Sequence, residues 1–172
     1  MLRWLWLAAL VVVLDQGSKL WANAGLNLHL PMDIFAGLNF TLSYNTGAAF
    51  SFLAGAGGWQ RWFFITLALM VSAYIIHWLR KLSMAETRLA IALALILGGA
   101  IGNVIDRVYL GYVVDFIDVF YFADGCLPFF SLVPGNGGGS CHWPAFNLAD
   151  SAIFLGAVML VIDSFRGRKA HD

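Results

Sequence analysis

Charge is what this chain has least of. Of its 172 residues 12% are Asp, Glu, Lys or Arg, against roughly 25% in soluble domains. Glutamate is nearly missing: Glu86 stands alone beside nine aspartates, so the carboxylates are placed for geometry rather than for solubility. No basic stretch is long enough to grip a phosphate backbone, and net charge is zero, which excludes a nucleic-acid partner. His29, His77, His142 and His171 are scattered without His-x-x-x-His spacing, and no Cys-x-x-Cys occurs, which argues against a metal site. The run Gly135–Gly139 precedes no Lys-Ser/Thr helix, so it is not a phosphate loop. A Gly-x-Ser-x-Gly elbow is also lacking. Cysteine is limited to Cys126 and Cys141, both in one polar stretch. They fit a single disulfide if that stretch faces an oxidising compartment, and two free thiols otherwise.

What is there is apolar. The chain is 60% hydrophobic, with mean hydropathy +0.77. Four stretches, about 4–22, 59–79, 89–108 and 146–165, read as membrane helices, each close to the ~20 residues a bilayer requires. The first also admits a cleaved signal peptide, ending in Ala22-Asn23-Ala24. Its Asp15-Gln16-Gly17-Ser18-Lys19 tail is long and charged for that role, and an uncleaved helix would set Asp15 and Lys19 on one face at i,i+4. The intervening loops are about 24–58 and 109–145; Ile34–Tyr44 has the β-branched and aromatic character of short strands. Asn45-Thr46-Gly47-Ala48-Ala49-Phe50 follows as a turn and small-residue run, and 55–58 as a hinge. The expected architecture is a single domain, all-α, with four transmembrane helices and a small extracytoplasmic β-rich platform.

Basic residues set the orientation. Arg3, the Arg80/Lys81/Arg88 cluster and Arg166/Arg168/Lys169 fall at alternating ends of the spans. Both termini and the 80–88 turn are therefore expected in the cytoplasm. Counting from these anchors, Asp15 stands about 18 Å up its helix, Asp106 about 27 Å and Asp150 about 24 Å. Three acids on three helices converge toward the outer side, and Asp115 can return to the same level. Carboxylates at membrane depth are costly and are functional candidates by default.

Asn103-x-x-Asp106 and Asn147-x-x-Asp150 each put an amide and a carboxylate on one helix face. An amide can donate to an acid and hold its orientation. A purely structural polar network between helices would use the same residues. Two carboxylates brought close tend to share one proton, so that one activates water while the other donates to a carbonyl. Spacing leaves open which acids pair. An acid beside Arg107 should be held ionised, which favours Asp115 over Asp106, and Asp118 remains a weaker candidate.

Five stretches together resemble bacterial lipoprotein signal peptidase (signal peptidase II), an aspartic protease family of the inner membrane. They are Asp15–Lys19, Asn45–Phe50, Gly102-Asn103-Val104-Ile105-Asp106-Arg107, Val113-Val114-Asp115-Phe116-Ile117 and Phe146-Asn147-Leu148-Ala149-Asp150. They occur in the family's order across nearly the whole chain. The resemblance implies that Asp115 and Asp150 are the catalytic dyad. It also implies that Asp15, Lys19, Asn45, Gly47, Asn103, Asp106, Arg107 and Asn147 line or brace the site. It implies no cofactor, a lipidated prolipoprotein as substrate cleaved before its diacylglyceryl-cysteine, membrane lipid as surroundings, and a monomer with its active site at the periplasmic face. Phe120–Pro144, which holds both cysteines, is longer than is usual in the family. A proton-coupled transporter and a structural subunit are the rival readings; acids on one side only, without a repeat, speak against a path across the bilayer.

Overall fold

The computed structural model describes residues 1–47, 57–123, 125–133 and 139–168. Ala48, Ala49 and Phe50 of the small-residue motif, residues 55–56 of the expected hinge, most of 135–139, and Lys169 lie outside the described residues. Four helices are long and apolar enough to cross a membrane: α1 (Leu5–Gly25), α2 (Trp59–Lys81), α3 (Thr87–Tyr109) and α4 (Leu148–Arg168). Strands β1 (Pro31–Phe35) and β2 (Leu38–Asn45) follow α1, while β3 (Val113–Phe122), β4 (Ser131–Val133) and β5 (Ser140–His142) lie between α3 and α4. They form one antiparallel sheet in the order β1-β2-β3-β5-β4.

Helix α3 is the axle. It buries eleven residues, among them Ala90, Ala92, Ala94, Gly98, Gly99 and Gly102, and packs against the other three helices. Helices in lipid gain little from the hydrophobic effect, so small residues that let backbones approach hold them together. At Gly102 the close approach reaches the charged residues: a Cβ there would meet the Asp15 carboxylate on α1 and Ala149 on α4. The outward faces of α1, α2 and α4 remain exposed and apolar, with Leu14, Leu20, Met70, Tyr74, Phe154 and Val161 among them, as lipid-facing surfaces should be.

A turn through Gly111, at φ 90°, sends the chain from α3 into β3; that positive φ suits glycine. Alternation at the start of the strand then turns Asp115 away from its apolar neighbours. Val114 and Phe116 point toward the end of α1, where they pack with Ala22, Leu26 and Leu42. Asp115 faces the other way. Asp118, three residues on, is engaged elsewhere: it accepts from Thr41 Oγ1 (2.9 Å) and meets His142 Nδ1 (2.8 Å). His142 Nε2 is 2.9 Å from Ser140 Oγ, and its ring stacks on Phe120. This chain of contacts fastens β5 to β3. Backbone bonds then join β3 to the entry of α4: Ile117 N–H donates to Phe146 O (2.9 Å) and Phe146 N–H to Ile117 O (3.1 Å). Asp115 and Asp150 are thereby brought side by side.

Candidate active site

The site is built on an ion cluster that joins three helices. Lys19 Nζ, 2% exposed as a residue, lies 2.8 Å from Asp15 Oδ2, 2.9 Å from Asp106 Oδ2 and 2.9 Å from Asn103 Oδ1. All three ammonium protons thus have acceptors. Asp15, fully buried, also accepts from the backbone N–H of Ala149 through Oδ1 (2.9 Å), which ties α1 to the first turn of α4. Asp106 accepts from the Val114 N–H through Oδ2 (3.1 Å), which ties α3 to β3. Gln16 Nε2 donates to Asp106 Oδ1 (2.8 Å) and to Asp15 Oδ2 (3.2 Å). Burying charges is costly unless they are paired and fully hydrogen-bonded, and here each is. No role for Gln16 was evident in the sequence; its place inside the Asp15–Lys19 motif was the one available signal.

Two asparagines carry this order to the remaining acids. Asn103 accepts from Lys19 and donates through Nδ2 to Asp150 Oδ1 (2.8 Å). Asn147 donates through Nδ2 to Asp115 Oδ1 (2.7 Å), and Asn103 Oδ1 is also within reach of that amide (3.2 Å). Asn147 also starts α4. Its Oδ1 accepts the Asp150 N–H (2.9 Å), while its own N–H donates to Asp150 Oδ2 (3.3 Å). This reciprocal cap explains why the helix begins at Leu148 and fixes Asp150 in the first turn. The twin Asn-x-x-Asp motifs therefore do different work: in one the acid braces with Lys19, in the other it faces the groove.

Asp115 and Asp150 both line a groove of about 1320 Å³, together with Asn45, Asn103 and Arg107. Burial pushes the Asp115 carboxyl from its ordinary 3.8 up to about 7, and the charge of Asp150 pushes the same way. Hydrogen bonds from Asn45 and Asn147 and the charge of Lys19 oppose this without cancelling it. Asp115 thus keeps a proton to far higher pH than an ordinary carboxyl.

Arg107 corrects one expectation. Among the described residues it makes no ion pair with Asp106, whose cation is Lys19. Its guanidinium donates instead to the carbonyls of Gly47 (2.8 Å) and Asn103 (3.3 Å) and lies over the Phe64 ring. The reason is directional: Asp106 points toward α1 and β3, while Arg107, one residue on, is turned roughly 100° around the helix. Gly47 belongs to a turn in which its N–H donates to Asn45 Oδ1 (2.9 Å), so Arg107 holds the Asn45–Gly47 corner at the groove. Asp118 does not line the groove and is held instead by Thr41 and His142. Among the described residues no group of His, Cys, Asp and Glu could hold a metal ion.

The chain resembles known proteins over almost its whole length. Residues 7–166 match the family described as signal peptidase (SPase) II. A lipoprotein signal peptidase of Aeromonas hydrophila is 52% identical over 172 residues, covering 99% of this chain and 93% of that one. The enzyme of that name from Pseudomonas aeruginosa strain PAO1 is 50% identical over 178 residues, covering 99% and 92%. A solved bacterial membrane enzyme superposes with a TM-score of 0.79 at 26% identity, covering 99% of this chain and 92% of the other. With the family's match running from α1 to α4, the chain belongs to the signal peptidase II family.

Proposed function

We propose that the chain is an aspartic endopeptidase that removes signal peptides from diacylglyceryl-modified prolipoproteins, cutting before the lipidated cysteine. The observation that carries the reading is the pairing of Asp115 and Asp150 in one groove, each held by an asparagine amide. The ionised partner takes a proton from water as that water attacks the scissile carbonyl. The protonated partner donates to the carbonyl oxygen to give a gem-diol. As the C–N bond breaks, the amine takes the proton drawn from water, and the second aspartate recovers its proton from the gem-diol hydroxyl. Asp15, Lys19, Asp106 and Gln16 hold the helices at the spacing this chemistry requires, and Asn45, Gly47 and Arg107 shape the groove's rim. No cofactor takes part.

The β-sheet and the groove lie at the periplasmic face of the inner membrane in this reading, with both termini in the cytoplasm. The support is the alternation of basic anchors at Arg3, Arg80/Lys81/Arg88 and Arg166/Arg168/Lys169. A single chain holds all the assigned residues, so a monomer suffices. The deciding experiment is cleavage of a lipidated prolipoprotein by purified protein in detergent. Wild type should release the signal peptide, and Asp115→Asn and Asp150→Asn should each lose turnover while staying folded. Wild-type turnover by either variant removes the dyad assignment, and no cleavage by wild type returns the transporter and structural readings.

A further inference from the structure

Between β3 and the Phe146–Asn147 entry to α4, Phe130, Ser131 and Trp143 form one wall of the groove. Its strands β4 and β5 pair with each other, and Cys126 is bonded to Cys141 with their Cα atoms 5.4 Å apart. Tyr121 on β3 pairs with Cys141 on β5, and Trp143 follows directly after β5. There Phe130 is wedged between two aromatic rings, edge to face, 5.1 Å from Tyr121 and 5.3 Å from Trp143. The Tyr121 hydroxyl accepts the Leu127 N–H (2.7 Å), which holds the turn before Phe130. Phe130 and Trp143 line the same groove as the two aspartates.

The opposite wall is a stripe of α4. Asp150, Ile153, Phe154 and Ala157 recur at i, i+3, i+4 and i+7, one face of the helix. It descends about 10 Å from the dyad into the apolar span. A groove that is polar at the dyad, aromatic beside it and open along a membrane helix suits a chain anchored in lipid.

Energetics single out which part of that chain the aromatic wall serves. The dyad sits at the first turn of α4, so a cysteine carrying acyl chains must rise to that level. The methylenes nearest the glycerol then leave the hydrocarbon, and each one exposed to water weakens binding about fourfold. Carbons that stay in the bilayer gain little from a protein wall, since lipid tails are as apolar as side chains. The benefit of cover is therefore confined to the height where Phe130 and Trp143 stand. Resting on the function proposed above, we propose that Phe130 and Trp143 are specificity-determining residues that cover the glycerol-proximal methylenes of the substrate's acyl chains. The disulfide keeps this wall upright.

The test uses the full chain in lipid nanodiscs and a prolipoprotein peptide with a dipalmitoylglyceryl cysteine. Phe130→Ala and Trp143→Ala should raise KM about tenfold, as loss of a buried aromatic anchor does, with kcat unchanged. Trp143→Phe should restore KM. On the wild-type protein, where folding is not in question, a photoreactive group on the acyl chain next to the ester should label the segment 127–146. Loss of kcat at unchanged KM, or labelling of this segment only from a probe on the signal-peptide chain, overturns the proposal. In the latter case the wall reads peptide side chains. Wild-type cleavage with both alanine variants unaffected sinks this inference alone, whereas absence of wild-type cleavage sinks the protease reading itself.

Discussion

Asp115 and Asp106 show how two acids nine positions apart acquire opposite characters. Asp106 faces an ammonium, an amide and a backbone N–H, and it is needed as a charge. Asp106→Asn leaves Lys19 with one buried counter-ion, so stability should fall by about 3 kcal/mol while turnover of the remaining folded protein declines less. Thermal melting and kcat measured together decide this. Unchanged melting with complete inactivity would move Asp106 into the catalytic pair. Asp115, with its pKa raised to about 7 by burial and by Asp150, serves as a proton carrier in the proposed mechanism. Activity should therefore fall as pH rises through about 7, when the shared proton is lost. The same shift acts on stability with a definite sign. Between about 3.8 and 7 the folded state binds a proton that the unfolded state has released, so stability declines as pH rises across that window. A profile of kcat/KM that stays flat from pH 6 to 9 would contradict the shared proton. At this scale the sequence showed the Asp15–Lys19 spacing, because both lie on one helix. The choice of Asp115 over Asp106 and the partners of Arg107 depend on strand pairing and helix rotation, which spacing alone does not carry.

Among the elements, helices α1 to α4 were legible because long apolar runs have few alternatives. Strands β4 and β5, three residues each and set among Gly and Pro, carry too little pattern to be read. Asp118 was considered as a dyad member on a three-residue spacing from Asp115. Asp118 instead engages Thr41 and His142 and does not line the groove. The β4–β5 hairpin has little apolar burial of its own: Leu132 and Val133 are exposed, and Cys141 is its fully buried residue among those described. Its order should depend on the Cys126–Cys141 bond. Closing a loop of about this length stabilises the folded form by roughly 3 kcal/mol in the chain-entropy model. Oxidised, denatured protein should show no thiol reactive to labelling, and reduction should raise hydrogen exchange in 126–141 before the helices respond. Two reactive thiols per chain would remove the bond and its role together.

For the whole molecule, the arrangement of anchors predicts one topology. A fluorescent protein fused after residue 168 should fold in the cytoplasm, and an epitope placed in the 82–86 turn should resist protease added from the periplasm. An epitope at 127–129 should be cleaved. Cleavage at the 82–86 turn would invert the molecule and put the dyad on the wrong side for secreted substrates. The helix count could be read from the sequence because lipid imposes length and apolarity on each span separately. The sheet, in which β2 pairs with β3 across 60 or more positions of chain, is a property of the assembled protein and was visible only as strand-like composition.

The three contacts of Lys19 also constrain how the protein is made. Helix α1 emerges first, and its partners follow much later: Asp106 with α3, and the Ala149 N–H with α4. Throughout that interval α1 must hold Asp15 and Lys19 in the bilayer without them, at about 3 kcal/mol for a lone charge deep in a span. The bond within the helix, Asp15 to Lys19 at 2.8 Å, meets this need, because it is available as soon as one turn has formed. The pair thus acts twice, first as a neutral passenger during insertion and then, once α3 and α4 arrive, as the seed on which the bundle closes.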